Sequence, residues 1–372
     1  MNLRENQPSK VLVCGAGFGR IHLKAISMSD DFKLVGVLSR GSEGSRASAA
    51  QYGVPCFTQI DELPDDIDFA CVAVPSATGA GEGTEIAVRL LERGVHVLQE
   101  VPLLSKEIVR ANKAAQIGNA RYRPNTMHSD LDSVKTFLVA AESIRKCQEP
   151  LFVDAACGVQ VSYSLIDILT RAIGGIRPWH FDSPAAPSRA SAVLSSTRAP
   201  FSAVHGVIGG VPVTLRVQNE MNPSDLDNHA LLLHRVSVGF EGGVLTLSDT
   251  HGPVLWNSRL HSSRDKEGKL LMGGLEHLEQ RSTVVVGDPS TPKFQSMFDR
   301  VWPDAVLSAL RDLRDCSKKP EESSSEMSRL QWELGVSILW ETLIDRLGPA
   351  RLINRDEPHI FDISKVVPCG IV

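Results

Sequence analysis

Three glycines at alternate positions, Gly15, Gly17 and Gly19, follow the apolar run Lys10 to Cys14 and precede Arg20 and the segment Ile21 to Ile26. Positions without side chains let backbone N–H groups approach a phosphate, and a helix starting there directs the positive end of its dipole at the same point. A strand, a glycine turn and a helix start in that order read as a cradle for a dinucleotide pyrophosphate, with Gly15, Gly17, Phe18, Gly19 and Arg20 as contacts. The third glycine comes one place early for G-x-G-x-x-G, so the reading draws its support from the next elements.

The next element, Lys33 to Leu38, is a second apolar strand that ends at Ser39 and Arg40. A site that prefers NAD places a carboxylate about 20 residues after the glycines to hold the ribose hydroxyls. None stands at this strand end. Ser39, Arg40, Ser42, Ser45 and Arg46 instead offer hydroxyls and guanidinium forks suited to a phosphate dianion, which predicts NADPH over NADH. The competing account is a solvated loop before a basic helix start.

Helical and strand-like segments alternate through residue 127, as a doubly wound parallel sheet requires. The strand Phe69 to Val74 ends at Pro75 and Ser76, and Val95 to Gln99 ends at Glu100, Val101 and Pro102. Ligands of such sheets lie beyond the carboxyl ends of the strands, so Val74, Pro75, Ser76, Glu100 and Pro102 are expected beside the cofactor. Asn125 is expected either to orient the ligand or to serve a turn, and His22 and His96 are expected to be structural.

A chain of 372 residues is too long for one core, which predicts a cofactor domain over 1–127 and a second domain over 128–372. In the second, strand-like runs at Leu151 to Cys157, Ser202 to Ile208, Val213 to Asn219, Leu231 to Gly239 and Gly243 to Ser248 are separated by glycine turns, the pattern of an antiparallel sheet. Segments 183–191 and 257–269 read as loops, passive or lid-forming. Phe294 to Leu313 and Ser325 to Leu347 have helical periodicity, with Trp302, Trp332 and Trp340 as core or cleft walls.

Tyr163, Asp167 and Arg171 recur four residues apart and share one helix face. They read either as a cleft-lining set or as a surface ion pair between Asp167 and Arg171.

Composition narrows the class. Hydrophobic residues at 42% and charged residues at 22% are those of an ordinary globule, and no apolar run is long enough for a membrane span or a signal peptide, which predicts a cytoplasmic protein. Seven cysteines without a C-x-x-C pair suggest neither a zinc site nor a disulfide framework. A net charge of −5 with no basic stripe argues against nucleic acid as a partner.

The glycine loop, Glu100-Val101-Pro102 and Tyr163-Ser164-Leu165-Ile166-Asp167 together resemble the Gfo/Idh/MocA oxidoreductases. The resemblance implies an N-terminal Rossmann domain and a C-terminal α/β domain with a large open, mainly antiparallel sheet, pairing face to face in a homodimer. Two departures stand out: the family usually has Glu-Lys-Pro where Val101 stands, and a histidine three residues before its aspartate where Ser164 stands. Both losses remove the base for oxidising a sugar hydroxyl.

The loop Gly15 to Gly19, the serine- and arginine-rich segment after the second strand, Leu98-Gln99-Glu100 with Pro102-Leu103, and Val159-Gln160-Val161 with Tyr163-Ser164 are similar to one branch, the thiazolinyl imine reductases of siderophore assembly lines. That branch implies NADPH-dependent reduction of a thiazoline C=N bond to a thiazolidine on a carrier-protein-tethered nonribosomal peptide intermediate. It also implies a proton donor after the strand that ends near Asn125. The expectation falls on His128, with solvent as the competing source, and a histidine near its ordinary range needs no special tuning to donate. Tyr163 and Asp167 are expected to contact the substrate, and Arg121, Arg123, Arg145 or Lys146 to meet an acidic carrier protein. Reduction of another C=N or C=C bond, or NADP sensing without turnover, stays open.

Overall fold

The computed structural model describes residues 7–76, 81–185, 188–318 and 323–366. At its centre lies β1 (Ser9–Cys14), whose residues Val11 to Cys14 are fully buried. Around it β2 (Phe32–Leu38), β3 (Cys56–Phe57), β4 (Phe69–Val72), β5 (His96–Glu100) and β6 (Tyr122–Asn125) form a six-stranded parallel sheet in the order β3-β2-β1-β4-β5-β6. Strands covered on both faces must be apolar throughout, which is why β1 and β4 read as continuous hydrophobic runs. The cover is supplied by α1 (Gly19–Ser27), α2 (Glu43–Gln51), α3 (Gly83–Glu92) and α4 (Ser105–Ile117). Strand order reverses between β1 and β4, and a ligand crevice opens at such a switch point.

A 3-10 turn, Met127–Asp130, leads from this Rossmann sheet into α5 (Asp132–Arg145), β7 (Phe152–Gly158) and α6 (Ser162–Ile173). The remaining elements are β8 (Trp179–Phe181), α7 (Arg189–Leu194), β9 (Ser202–Ile208), β10 (Val211–Gln218), β11 (Glu220–Met221), β12 (His234–Phe240), β13 (Gly243–Leu247), β14 (Val254–Ser258) and β15 (Thr283–Val286). Eight of these strands build the second sheet in the order β15-β14-β13-β12-β7-β10-β9-β8. Only β7 and β10 run parallel, with Val153 opposite Val213; every other pair is antiparallel. The fold is therefore the α/β arrangement the sequence implied.

Some details differ. β8, β14 and β15 were not foreseen, and β14 ends inside the segment read as a loop over 257–269. They are short and lie at or next to the sheet edges, where Val284 and Val285 are partly exposed, so the alternation that marks a half-buried strand is weak in them. Helix α7 starts within the segment read as a loop over 183–191, of which residues 186 and 187 lie outside the described residues.

The C-terminal helices return to the first sheet. After α8 (Phe294–Ser296) comes a π-helical turn, Met297–Val301, then α9 (Trp302–Ser317) and α10 (Ser323–Leu347), with β16 (Arg351–Leu352) pairing with β11. Helix α9 packs on α1, while α10 sends Leu330 and Leu334 to the core around β4 and Leu339, Trp340 and Leu343 to the other core. The two domains are thus joined by side chains well beyond residue 127. Among the described residues no helix is long and apolar enough to cross a membrane.

Candidate active site

The three glycines of the first turn do three different jobs. Gly15 has φ +94°, and a Cβ there would meet Val74 and the Ala73 backbone at 3.1–3.2 Å. Gly19 lets α1 close on β1, since a Cβ would lie 3.3 Å from Val13 and 3.5 Å from Ala73. At Gly17 an added Cβ meets nothing within 4 Å. That open space beside an uncapped helix start, with no acidic residue in the first turn of α1, is where a pyrophosphate fits. Phe18 and Arg20 flank it, both exposed.

At the end of β2, Ser39 accepts from the Gly41 N–H at 3.1 Å, and Ser42 caps α2 by accepting from the Ser45 N–H at 3.3 Å. Arg46 folds back so that its Nε donates to the Gly41 carbonyl at 3.0 Å. Arg40 and Arg46 are both exposed, and among the described residues neither pairs with a carboxylate. Beyond β4 and β5, Ser76 donates to the Pro102 carbonyl at 2.7 Å and ties the two loops together. The Pro75 carbonyl accepts from the Gly83 N–H at 2.9 Å and opens α3. Glu100 accepts from the Asn125 amide, and its carboxylate lies 2.9 Å from His22 Nε2.

His128 stands on the 3-10 turn after β6. Its Nδ1 lies 3.1 Å from Ser164 Oγ, and the Ser164 hydroxyl donates to the Thr126 carbonyl at 3.4 Å. The ring and the hydroxyl thus hold each other, one donating and the other accepting. Met127 precedes it at φ +33°, a conformation costing roughly 1–3 kcal/mol that marks functional sites more often than scaffolds. Burial holds the His128 imidazole well below its ordinary range, and the His234 and His251 imidazoles push the same way. The expectation of a donor near its ordinary range is corrected: in the free chain this imidazole is neutral at pH 7.

Aromatic side chains pair off near this turn and near the glycine loop. His234 packs edge-on against His128 with centroids 4.9 Å apart. The Trp302 indole N–H donates to His251 Nε2 at 3.0 Å with the rings stacked, and Trp302 also approaches Phe18 of the glycine loop at 6.4 Å.

Tyr163, Asp167 and Arg171 do share a face, and it opens on a crevice also lined by Arg123, Thr126, Trp332 and Glu333. Its volume is about 30 Å³, room for about two waters. Asp167 is buried and saturated: Arg171 Nε donates to both oxygens at 2.9 Å, Ser129 donates at 2.6 Å, Thr126 at 3.3 Å and Trp332 at 3.4 Å. Tyr163 lies against Trp340, and burial, then the Asp167 and Glu333 carboxylates, push its phenol well above the usual range. The Asp167–Arg171 pair is therefore present, with its carboxylate buried and its guanidinium half exposed, and through Ser129 and Thr126 Asp167 braces the turn that carries His128.

Residues 9–125 match the family model described as an oxidoreductase family with an NAD-binding Rossmann fold, and residues 148–257 match one described as the C-terminal domain of thiazolinyl imine reductase Irp3-like proteins. The chain belongs to the Gfo/Idh/MocA oxidoreductases. Its second domain places it with the thiazolinyl imine reductase-like branch. No curated protein sequence matches it. Among solved structures it is similar to GenD2 from gentamicin A biosynthesis in complex with NAD (TM-score 0.61, 15% identity, 90% of this chain and 93% of that one). It is similar as well to an Agrobacterium radiobacter oxidoreductase in complex with NAD+, L-tartaric acid and magnesium (TM-score 0.63, 10%, 90% and 94%). A Corynebacterium glutamicum myo-inositol dehydrogenase is a third (TM-score 0.59, 14%, 91% and 96%). At these identities the likeness is one of fold. The chain is an oxidoreductase whose cofactor is a nicotinamide dinucleotide.

In this Gfo/Idh/MocA protein Val101 is a half-buried hydrophobe between the two cores. Ser164 is hydrogen-bonded to an imidazole brought in from another segment. Sequence reasoning named Trp302 as a core or cleft wall and His22 as structural, and passed over His234 and His251. No local signal marks them, since their meaning arises from segments that meet only in the fold. Of the basic residues expected at the cleft mouth, Arg121 pairs with Glu326 at 2.9 Å, Arg123 with Asp312 at 3.1 Å and Lys146 with Glu142 at 3.4 Å, while no ion pair is seen for Arg145 among the described residues.

Proposed function

We propose that this protein is an NADPH-dependent imine reductase that converts a thiazoline ring to a thiazolidine on a carrier-protein-tethered intermediate of nonribosomal peptide assembly. The observation that carries the reading is the His128–Ser164 pair. The site lacks the lysine and the helix-borne histidine that would deprotonate a sugar hydroxyl, yet it holds an imidazole that can deliver a proton, and the second domain matches the imine reductase type. Reduction of C=N needs no base; it needs a proton at nitrogen as carbon is reduced.

When bound, a reduced nicotinamide supplies the hydride. The chain's part is to bind, orient and protonate. Gly15 and Gly17 open the turn to the pyrophosphate. Among the described residues Arg40 and Arg46 pair with no carboxylate beside the Ser42 cap, which supports a phosphate on the ribose and so NADPH. His128 takes a proton at Nε2 and gives it to the ring nitrogen, its Nδ1–H anchored on Ser164. Because burial keeps the imidazole neutral, solvent is the competing donor, and closure around a substrate would favour whichever acid lies in reach. We place homodimer formation on the face of the second sheet that bears Phe152, and the protein in the cytoplasm, in keeping with six unpaired cysteines among the described residues.

The test is NADPH oxidation, followed by absorbance, with a hydroxyphenyl-thiazolinyl-thiazoline thioester, alongside NADH and Arg46→Ala. Turnover with NADPH, lost in large part with NADH, supports the reading. NADPH binding without reduction of the thiazoline rejects it and leaves another imine or a sensing role.

A further inference from the structure

We propose that Asn125 is the positioning residue of the proton donor, and that through Glu100 and His22 it couples the seat of His128 to occupancy of the dinucleotide turn. The inference rests on the reading of His128 as the donor and adds the means by which cofactor binding sets it.

The link starts at two strand ends. β5 and β6 run parallel in a register that puts Glu100 opposite Asn125, the last residue of each. The Asn125 side-chain nitrogen donates to Glu100 Oε1, and its side-chain oxygen accepts from the Met127 N–H at 3.2 Å. A carboxamide does both at once, which neither an aspartate nor a leucine of the same size could. Met127, the residue before His128, has φ +33°, a backbone that a non-glycine residue keeps only where its surroundings fix it. Asn125 thus holds the turn from the Rossmann side, as Asp167 does through Ser129 and Thr126 from the second domain.

The far end of the link is the helix of the cofactor turn. Glu100 Oε1 also lies 2.9 Å from Nε2 of His22, whose side chain is fully buried in α1 close behind Gly19. One carboxylate oxygen therefore meets a group from the cofactor helix and a group from the donor turn. His22 and Asn125 are closed to solvent and Glu100 is nearly so, and packed groups pass a displacement on where water would absorb it. A dinucleotide that draws the start of α1 onto its phosphates moves His22, and with it Glu100, Asn125 and the turn bearing His128.

The experiment follows the His128 ring signals by NMR, assigned with His128→Ala, as ADP-ribose with or without a 2′-phosphate is added. These fragments fill the dinucleotide turn and carry no nicotinamide, so a change at His128 does not come from that ring. In wild type, binding is expected to shift the His128 signals. In Asn125→Ala and Glu100→Leu the fragment binds within about threefold of wild type and the shift falls below one third. Glu100→Gln, whose side-chain oxygen still accepts from Asn125, keeps most of it. With NADPH and the thiazoline thioester, Asn125→Ala lowers kcat about tenfold by misplacing the imidazole while the KM for NADPH holds. A bound fragment that leaves His128 unmoved in wild type overturns the coupling, as does an intact shift in Glu100→Leu, and full kcat in Asn125→Ala overturns the positioning role. If Asn125→Ala does not fold, the two Glu100 variants decide the matter. Shifts that follow this pattern without reduction of the thiazoline keep the coupling and reject imine reduction; reduction without the shifts does the reverse.

Discussion

His128 Nδ1 stands 3.1 Å from the Ser164 hydroxyl, joining the turn after the last Rossmann strand to a helix of the second domain 36 residues further along the chain. His128→Ala is expected to lower kcat/KM about 100-fold, within the usual range for loss of a general acid, with cofactor affinity unchanged. Ser164→Ala is expected to lower kcat about tenfold through misorientation alone. Because the imidazole titrates well below its ordinary range, the protonated fraction keeps growing as pH falls past 6.5, and kcat/KM rises with it. A plateau already reached at pH 6.5, or a flat profile, would assign the proton to another source.

Gly17→Ala separates folding from cofactor binding. With nothing within 4 Å and no positive φ, a methyl group there leaves stability unchanged or raises it by about 0.5 kcal/mol. It intrudes on the space left for the pyrophosphate, so affinity for NADPH should fall at least tenfold in a fluorescence titration. Gly15→Ala, at φ +94° against the Ala73 backbone, should instead cost about 1 kcal/mol or more in urea unfolding.

Asp167→Ala leaves Arg171 without its partner and frees the Ser129 and Thr126 hydroxyls. The expected cost is roughly 3 kcal/mol, at the low end for a buried pair because Arg171 is half exposed to water. The turn bearing His128 loses an anchor at the same time, so kcat should fall while the KM for NADPH holds. Full stability in a denaturant titration of this variant would show that the pair holds nothing in place.

Two buried groups pull stability in opposite directions with pH. Burial lowers His234 from 6.5 to about 4, so its contribution is complete above pH 6.5 and is lost as pH falls towards 4. Burial raises Glu333 from 4.5 to about 7 against the pull of Arg329 and Arg123, so the folded state is penalised as pH rises from 4.5 through 7. Each shift corresponds to about 3 kcal/mol at most. Between pH 4.5 and 6.5 the two trends oppose each other in the wild type. Glu333→Gln removes the second, and its stability relative to wild type should grow from pH 4.5 to pH 8 in urea titrations. A constant difference across that range would count against a proton on Glu333.

The dinucleotide turn, the buried parallel strands and the second antiparallel sheet were all legible in the sequence, because each depends on consecutive residues. A glycine turn is a statement about backbone angles and close approach, and a strand or helix declares itself by the period of its apolar positions. The edge strands β8, β14 and β15 were not legible, since half-exposed strands carry a weak period. The site's working pairs were decided only by the tertiary structure. His128 finds Ser164 across 36 residues, Trp302 finds His251 across 51, and Trp332 reaches Asp167 across 165. Nor does residue type say that His128 is neutral or that Asp167 is already saturated. Those properties come from burial and from donors on distant segments, which only the packing of two sheets and the returning helices brings together.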